Sequence, residues 1–384
     1  MSTATTTSQR PTFDWELAPN TTGGRLQICA QRSCSNVLVQ LDVTGNSARP
    51  ASNLTAGHYY WRVFGRNGSR VGLTPSVVWQ VHVPARSAPA IDSSAGQASD
   101  FNGDGYGDVV VGAQSSDSEV GRVHIFGGSS GGLSVSPDRS LVSPGGAGGK
   151  FGSLLESAGD VNGDGYVDLV VSAPGASGVG RTYLYLGSST GLRLAQQHAV
   201  PTIRWHKAFQ QGLSGGDING DGYADIVVGG TPTASTLGGS IHVFCGSATG
   251  PSDQPDLSVT GANDVRLPTT WMWETSRDGF ADVLVSARSL NQAYVYPGSA
   301  AGLLTTRTTL TSPEQQVSRS GGLRAVGDLN GDGRGDAAVG DYAGGSGFVH
   351  VYYGGGAGLP SAPATSLGSP GGVASARRCA VDET

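Results

Sequence analysis

The sequence predicts an all-β protein, an N-terminal β-sandwich followed by a β-propeller of about five four-stranded blades with acidic loops. Three observations predict it. An acidic nine-residue string, Asp-x-Asn-x-Asp-Gly-x-x-Asp, occurs intact four times, and each copy runs directly into an apolar segment. Glycine supplies 62 of 384 residues while only 14% are charged, a composition of short strands and tight turns rather than of helical bundles. No stretch carries a convincing 3.6-residue apolar period of an amphipathic helix. With 37% hydrophobic residues, the chain can still bury a core.

The first element is residues 12–84. TFDWEL, GRLQICA, NVLVQLDV, YYWRVFG and VVWQVHV are strand-like segments separated by Gly, Asn and Pro turns, and none is joined to an acidic loop. This is the pattern of a small β-sandwich. Cys29 and Cys34 in CAQRSC stand close enough to staple a hairpin, a pairing that suits an oxidising compartment. Zinc would need two more ligands nearby, and none are visible. Cys245 and Cys379 stand alone. Residues 84–99, rich in Ala, Ser and Pro, read as a linker.

From residue 91 onward the chain repeats. The acidic strings begin at Asp100, Asp160, Asp217 and Asp328, and a decayed fifth copy begins at Glu274, giving spacings of 60, 57, 57 and 54. In the decayed copy Glu274 and Ser276 replace the first Asp and the Asn, while Asp278, Gly279 and Asp282 persist. Each unit reads as a strand before the acidic loop, a second strand in segments such as VDLVVSA, a third such as RTYLYLG, and a weaker fourth after a turn such as GSSTGL. Four-stranded units of this length imply a propeller, which hides its sheet edges by radial closure.

The acidic string itself has two readings. Alternating Asp and Asn with a glycine for the sharp turn can fold oxygens around a metal, whereas Asn-Gly and Asp-Gly pairs also make ordinary polar turns. Repetition favours the metal. Twelve of the 30 acidic residues lie in the four intact loops, so four divalent ions would carry the formal charge from −6 to +2. An EF-hand or a dockerin loop needs an acidic residue at position 12, where the second loop has Val171.

FGSLLESAGDVNGDGYVDLVVSAPGA, from Phe151, resembles the FG-GAP repeat of integrin α-subunit propellers and their bacterial relatives; the resemblance spans about residues 91–378 and implies a propeller over 91–384. It implies Ca²⁺ in the loop between the first and second strands of a blade. The implied ligands are Asp160, Asn162, Asp164 and Asp168 with the carbonyl of Tyr166. Their counterparts are Asp100, Asn102, Asp104, Tyr106 and Asp108; Asp217, Asn219, Asp221, Tyr223 and Asp225; and Asp328, Asn330, Asp332, Arg334 and Asp336. Integrin-type propellers have seven blades, whereas five acidic loops occur here. LTAGHYYWRV, from Leu54, is similar to the late-strand signature of fibronectin type III domains, with Tyr59 or Tyr60 at the tyrosine-corner position.

Other motifs dissolve into the repeat. The G-x-S-x-G strings at Gly128, Gly187 and Gly212 lack the strand-to-helix turn of a nucleophile elbow. His124, His242 and His350 occupy one third-strand position that holds Tyr183 and Tyr294 in other units, a structural pattern rather than a metal site. Arg334-Gly335-Asp336 spells an adhesion tripeptide, but Asp336 is a ninth loop position and turns inward.

What breaks the repeat marks a candidate ligand surface: Arg204, Trp205 and His206 in one connection, Trp271 and Trp273 in another, both expected at the rim opposite the acidic loops. The sequence therefore points to a non-catalytic extracellular or cell-surface binding protein, its partner a protein or glycan. The competing reading is a propeller-scaffold enzyme acting on polysaccharide or a glycan-linked substrate. A pI near 5.6 offers no basic stripe for nucleic acid, no apolar run reaches membrane-span length, and no signal-peptide h-region is visible.

Overall fold

The computed structural model describes residues 3–5, 9–15, 17–55, 57–76, 78–83, 99–104, 106–176, 180–194, 213–230, 240–260, 270–273, 275–276, 278, 280–287, 292–311, 323–327, 329–330, 334–341 and 347–368. Among them the regular structure is β-strand, and Ser116–Glu119 form a tight turn in which Asp117 and Ser118 take positive φ.

At the N-terminus, Gly23–Cys29 is central. It pairs antiparallel with Val37–Thr44 on one side and with Gly57–Asn67 on the other. Trp79–Val83 and then Thr3–Thr5 extend that sheet, and Arg70–Pro75 folds back on Gly57–Asn67. A two-stranded layer, Phe13–Asp14 with Ser47–Ala48, closes over it. Alternation does the work of a sandwich here: Leu26 and Ile28 point to the interior with Phe13, Ala48, Tyr59, Val63, Val81 and Val83. The neighbouring tyrosines take opposite faces. Tyr59 donates its hydroxyl to the Thr55 carbonyl four residues upstream at 2.9 Å, the geometry of a tyrosine corner. Tyr60 instead packs with Cys29 and Cys34, which are bridged with Cα atoms 5.1 Å apart.

Among the described residues from 99 onward there are five antiparallel meanders. The first has Val109–Ala113, Arg122–Phe126 and Arg139–Val142. The second has Leu155–Gly159, Asp168–Ala173, Arg181–Leu186 and Arg193–Leu194. The third has Leu213–Gly216, Asp225–Gly230, Ser240–Phe244 and Leu257–Thr260. The fourth has Thr270–Trp273, Asp282–Ala287, Gln292–Tyr296 and Thr308–Leu310. The fifth has Leu323–Gly327, Asp336–Asp341, Phe348–Tyr352 and Thr365–Gly368.

Four apolar cores lie between successive sheets, which is why the second strands read as unbroken apolar runs. In Asp168–Ala173, Leu169 and Val171 face Val123 and Ile125 of the first sheet, while Val170 faces Ile226 and Val228 of the third. The third sheet likewise gives Val227 and Ile241 to a core with Val283 and Tyr294 of the fourth, and the fourth gives Leu284 and Val295 to one with Leu323 and Val339 of the fifth. A strand buried on both faces must be apolar at every position, not every second one. Sheets stacked face to face in chain order are the architecture of a β-propeller.

The structure corrects one placement. Trp271 and Trp273 do not lie in a connection: they sit in the first strand of the fourth sheet, opposite Leu284 and Asp282. The alternating Thr-Trp-Met-Trp suits a strand by propensity, so the repeat break at this point is one of composition, not of secondary structure. Arg204, Trp205, His206, Cys379 and the segment after Gly368 lie outside the described residues.

Candidate divalent-cation loops

Among the described residues the second to fifth acidic loops join the first strand of their sheet to the second, the first loop runs into Val109–Ala113, and the first three fold as nested side-chain-to-backbone turns. In the second loop, the Asp164 amide donates to Asn162 Oδ1 at 3.0 Å, the Tyr166 amide to Asp164 Oδ1 at 3.1 Å, and Asn162 Nδ2 to Asp164 Oδ2 at 3.0 Å. The first and third loops repeat each contact through Asn102, Asp104 and Tyr106 and through Asn219, Asp221 and Tyr223. Short Asx side chains that capture the amide two residues on explain why Asp and Asn alternate.

The first-position aspartate lies underneath. Asp160 accepts the amides of Gly163 and Gly165, each at 2.6 Å, and Asp217 those of Gly220 at 2.5 Å and Gly222 at 3.1 Å. Gly163 has φ +73°, and a Cβ there would stand 2.6 Å from Cε1 of Tyr223 on the next loop. Both the turn and the close approach require glycine.

The ninth position is a clamp. Asp168 uses one carboxylate oxygen for the Val161 amide at 2.9 Å and the other for the Gly187 amide, beyond the third strand, at 2.8 Å. Asp108, Asp225, Asp282 and Asp336 each accept the same two amides in their own units. Asp282 does so in the decayed loop, where Thr275 also donates its hydroxyl to it. Charge-assisted bonds to two backbone donors tie the loop to the far end of its own sheet.

The loops also reach the next sheet. Carbonyls of Phe101, Val161 and Ile218 accept the amides of Ser188, Ser247 and Ser299, and carbonyls of Asp160 and Asp217 accept those of Ala224 and Ala281.

The first- and ninth-position aspartates of the first three loops are buried, whereas Asp164 and Asp221 at the fifth position are exposed. Burial, reinforced by Asp160 and Asp164, drives Asp168 well above the usual carboxylate range. Burial takes Asp225 up to about 8, with Asp217 and Asp221 adding to it, and takes Asp217 and Asp282 up to about 6. Buried carboxylates raised by one another are relieved by a cation, and a set made only of oxygen suits a hard one such as Ca²⁺. Among the described residues no three His, Cys, Asp or Glu side chains converge into a ready cage. Here the donors would include an Asn oxygen and a carbonyl, and the donor chemistry fits a divalent ion.

Of the expected ligands, the first three loops are described in full except Gly105, and in each the first, third and fifth side chains accept the loop's own backbone amides while the ninth takes up the clamp. In the fifth loop Asn330, Arg334 and Asp336 are described, whereas Asp328 and Asp332 are not. The three histidines serve their sheets: Nδ1 of His124, His242 and His350 pairs with the hydroxyl of Ser140, Ser258 and Ser366, opposite on the last described strand of each sheet. Sequence reasoning missed the clamp made by the ninth aspartate, although its survival as Asp282 signals it. It also missed Arg32, whose Nη1 lies 3.3 Å from Asp217 Oδ2 and which no motif marks.

Comparison with known proteins agrees with this anatomy. An FG-GAP-like repeat matches residues 160–228 and an FG-GAP repeat matches residues 93–126. The chain carries FG-GAP repeats and is integrin-α-like across them. Integrin alpha-PS5 of Drosophila melanogaster is 41% identical over 143 residues, which are 34% of this chain and 14% of that protein. Human integrin alpha-IIb is 37% identical over 142 residues, with the same two shares. The FG-GAP chain thus spans a small part of the length of these relatives. Among solved structures, the Dos1 propeller aligns over 89% of this chain and 83% of its own with a TM-score of 0.36 and 12% identity.

Proposed function

We propose that this FG-GAP protein is a non-catalytic binding module of the cell surface or extracellular space, built as a calcium-stabilised propeller (residues 91–384) beside a fibronectin type III-like unit (residues 12–84). The observation that carries the reading is the double anchoring of the first three acidic loops, to their own sheets through the ninth aspartate and to the next through loop carbonyls. Such loops serve the ring rather than a substrate. A bound divalent ion would supply neutralising charge to carboxylates that burial has raised. The chain's own residues do the rest: Asx turns preorganise the oxygens, and the clamp fixes the loop's base.

Integrin likeness supports a protein partner and a surface location, and the Cys29–Cys34 bridge suits an oxidising compartment. The Tyr59–Thr55 bond supports the fibronectin-like assignment. The partner, protein or glycan, falls on the face away from the acidic loops.

Calorimetric titration of chelator-stripped protein tests the cation. Binding at the four loops with a full ligand set is expected, and saturation at a hundred times the dissociation constant should add about 2.7 kcal/mol per site. No heat of binding and an unchanged melting temperature would end this reading. A glycan array and a pull-down from extracellular matrix test the partner, and turnover of a polysaccharide would replace the reading with an enzymatic one.

A further inference from the structure

The third acidic loop differs from the others in what touches it. Arg32 stands in the Cys29–Cys34 turn, where the Cys34 amide donates to the Gln31 carbonyl at 2.8 Å. Its guanidinium meets the fully buried Asp217 at 3.3 Å and lies over the Phe280 ring, 5.5 Å from the centroid. The fit is close on both sides. A Cβ on Gly220 would lie 2.9 Å from Arg32 Nη2, and one on Gly222 only 1.8 Å from the Tyr60 hydroxyl. Two glycines of the loop therefore admit two side chains of the N-terminal unit, one cationic and one aromatic.

We propose that Arg32 and a divalent cation compete for Asp217, so that an empty third loop latches the Cys29–Cys34 turn onto the propeller and a filled one releases it. This rests on the cation reading of the loops. The physical argument is charge. Asp217 Oδ2 already receives the Gly222 amide and the guanidinium, and a second cation on that carboxylate would stand within a few ångströms of the first in a buried site. Repulsion there favours one occupant. Coupling of this kind is reciprocal: what Arg32 subtracts from cation affinity, the cation subtracts from docking. The third loop should therefore be a weaker, regulated site, while the first and second loops hold their ions as structural staples.

The test uses the full chain, stripped with chelator. Calcium titration calorimetry on wild type, Arg32→Ala and Arg32→Lys should show one site tightening about tenfold in Arg32→Ala, with Arg32→Lys close to wild type. In parallel, a double-mutant cycle of Arg32→Ala with Asp217→Asn in thermal unfolding should show coupling in chelator that disappears at saturating calcium. Identical calcium affinities in wild type and Arg32→Ala overturn the proposal, as does coupling that calcium leaves unchanged. Should Arg32→Ala fail to fold, Arg32→Gln carries the same comparison. A wild type that binds no calcium at all would instead show zero stoichiometry, which separates failure of the cation reading from failure of the competition.

Discussion

Asp282 keeps its place in a loop where Glu274 and Ser276 stand for the first Asp and the Asn, and the reason is visible at the scale of one carboxylate. Its oxygens take the Thr275 amide at 3.0 Å and the Gly298 amide at 3.0 Å, and both donors are buried. Replacing it leaves them unsatisfied. Asp282→Ala should cost about 3 kcal/mol of unfolding free energy, equally in calcium and in chelator, as read by urea denaturation. A loss seen only in calcium would make Asp282 a ligand instead. Glu156 shows another kind of dependence. Burial pushes its carboxyl up to about 7, with Arg324 opposing. A raised pKa in the folded state means that folding favours the proton, so stability is fullest below about 4.5 and falls as pH climbs to about 7. Comparing the pH dependence of melting in wild type and Glu156→Gln isolates this slope, which the variant should lack. Parallel curves would mean that Glu156 titrates as it does in the unfolded chain.

At the scale of elements, the chain announces its strands because each must satisfy two neighbours. The run VDLVVSA is legible as a second strand since Leu169, Val170 and Val171 serve two different cores. The alignment of His124, His242 and His350 is legible too, and each meets a serine across the sheet. Trp271 and Trp273 were harder. Their composition breaks the repeat while their backbone keeps it, so a pattern read from residue types places them in a connection. Arg32 and Asp217 could not be paired at all from sequence, because 185 residues separate them and the contact depends on how two separately folded units meet. The turn that presents Arg32 is closed by a disulfide in addition to the Cys34–Gln31 and Ala30–Asn36 hydrogen bonds. The Cys29–Cys34 bridge closes a very short loop, with a sequence separation of 5, so the chain-entropy account gives it only about 2 kcal/mol. Cys29→Ser with Cys34→Ser should lower the melting midpoint of the N-terminal unit by that modest amount. The larger effect expected is on docking: the Arg32–Asp217 coupling should shrink with the bridge gone, and full retention of that coupling would show that the turn keeps its shape without it.

Across the whole molecule, the acidic loops connect sheets in series, and this governs how the ring should fail. The second loop belongs to the second sheet, yet its Asp160 and Val161 carbonyls hold the Ala224 and Ser247 amides of the third, at 2.9 and 3.0 Å. The third loop holds the fourth sheet in the same way through Ala281 and Ser299. Disturbing one loop should therefore loosen its successor, not only itself. Asp160→Asn weakens the carboxylate that gathers the Gly163 and Gly165 amides while leaving the backbone carbonyls in place. If the loop's shape presents those carbonyls, native-state hydrogen exchange in the variant should quicken at Ala224 and Ser247 as well as within residues 160–168, with the first sheet little changed. Emptying the loops of wild type with chelator should give the same pattern between every described pair of neighbours. Faster exchange confined to residues 160–168 would mean that the inter-sheet bonds stand by themselves, and the loops would then be stabilisers of single blades rather than links of a ring.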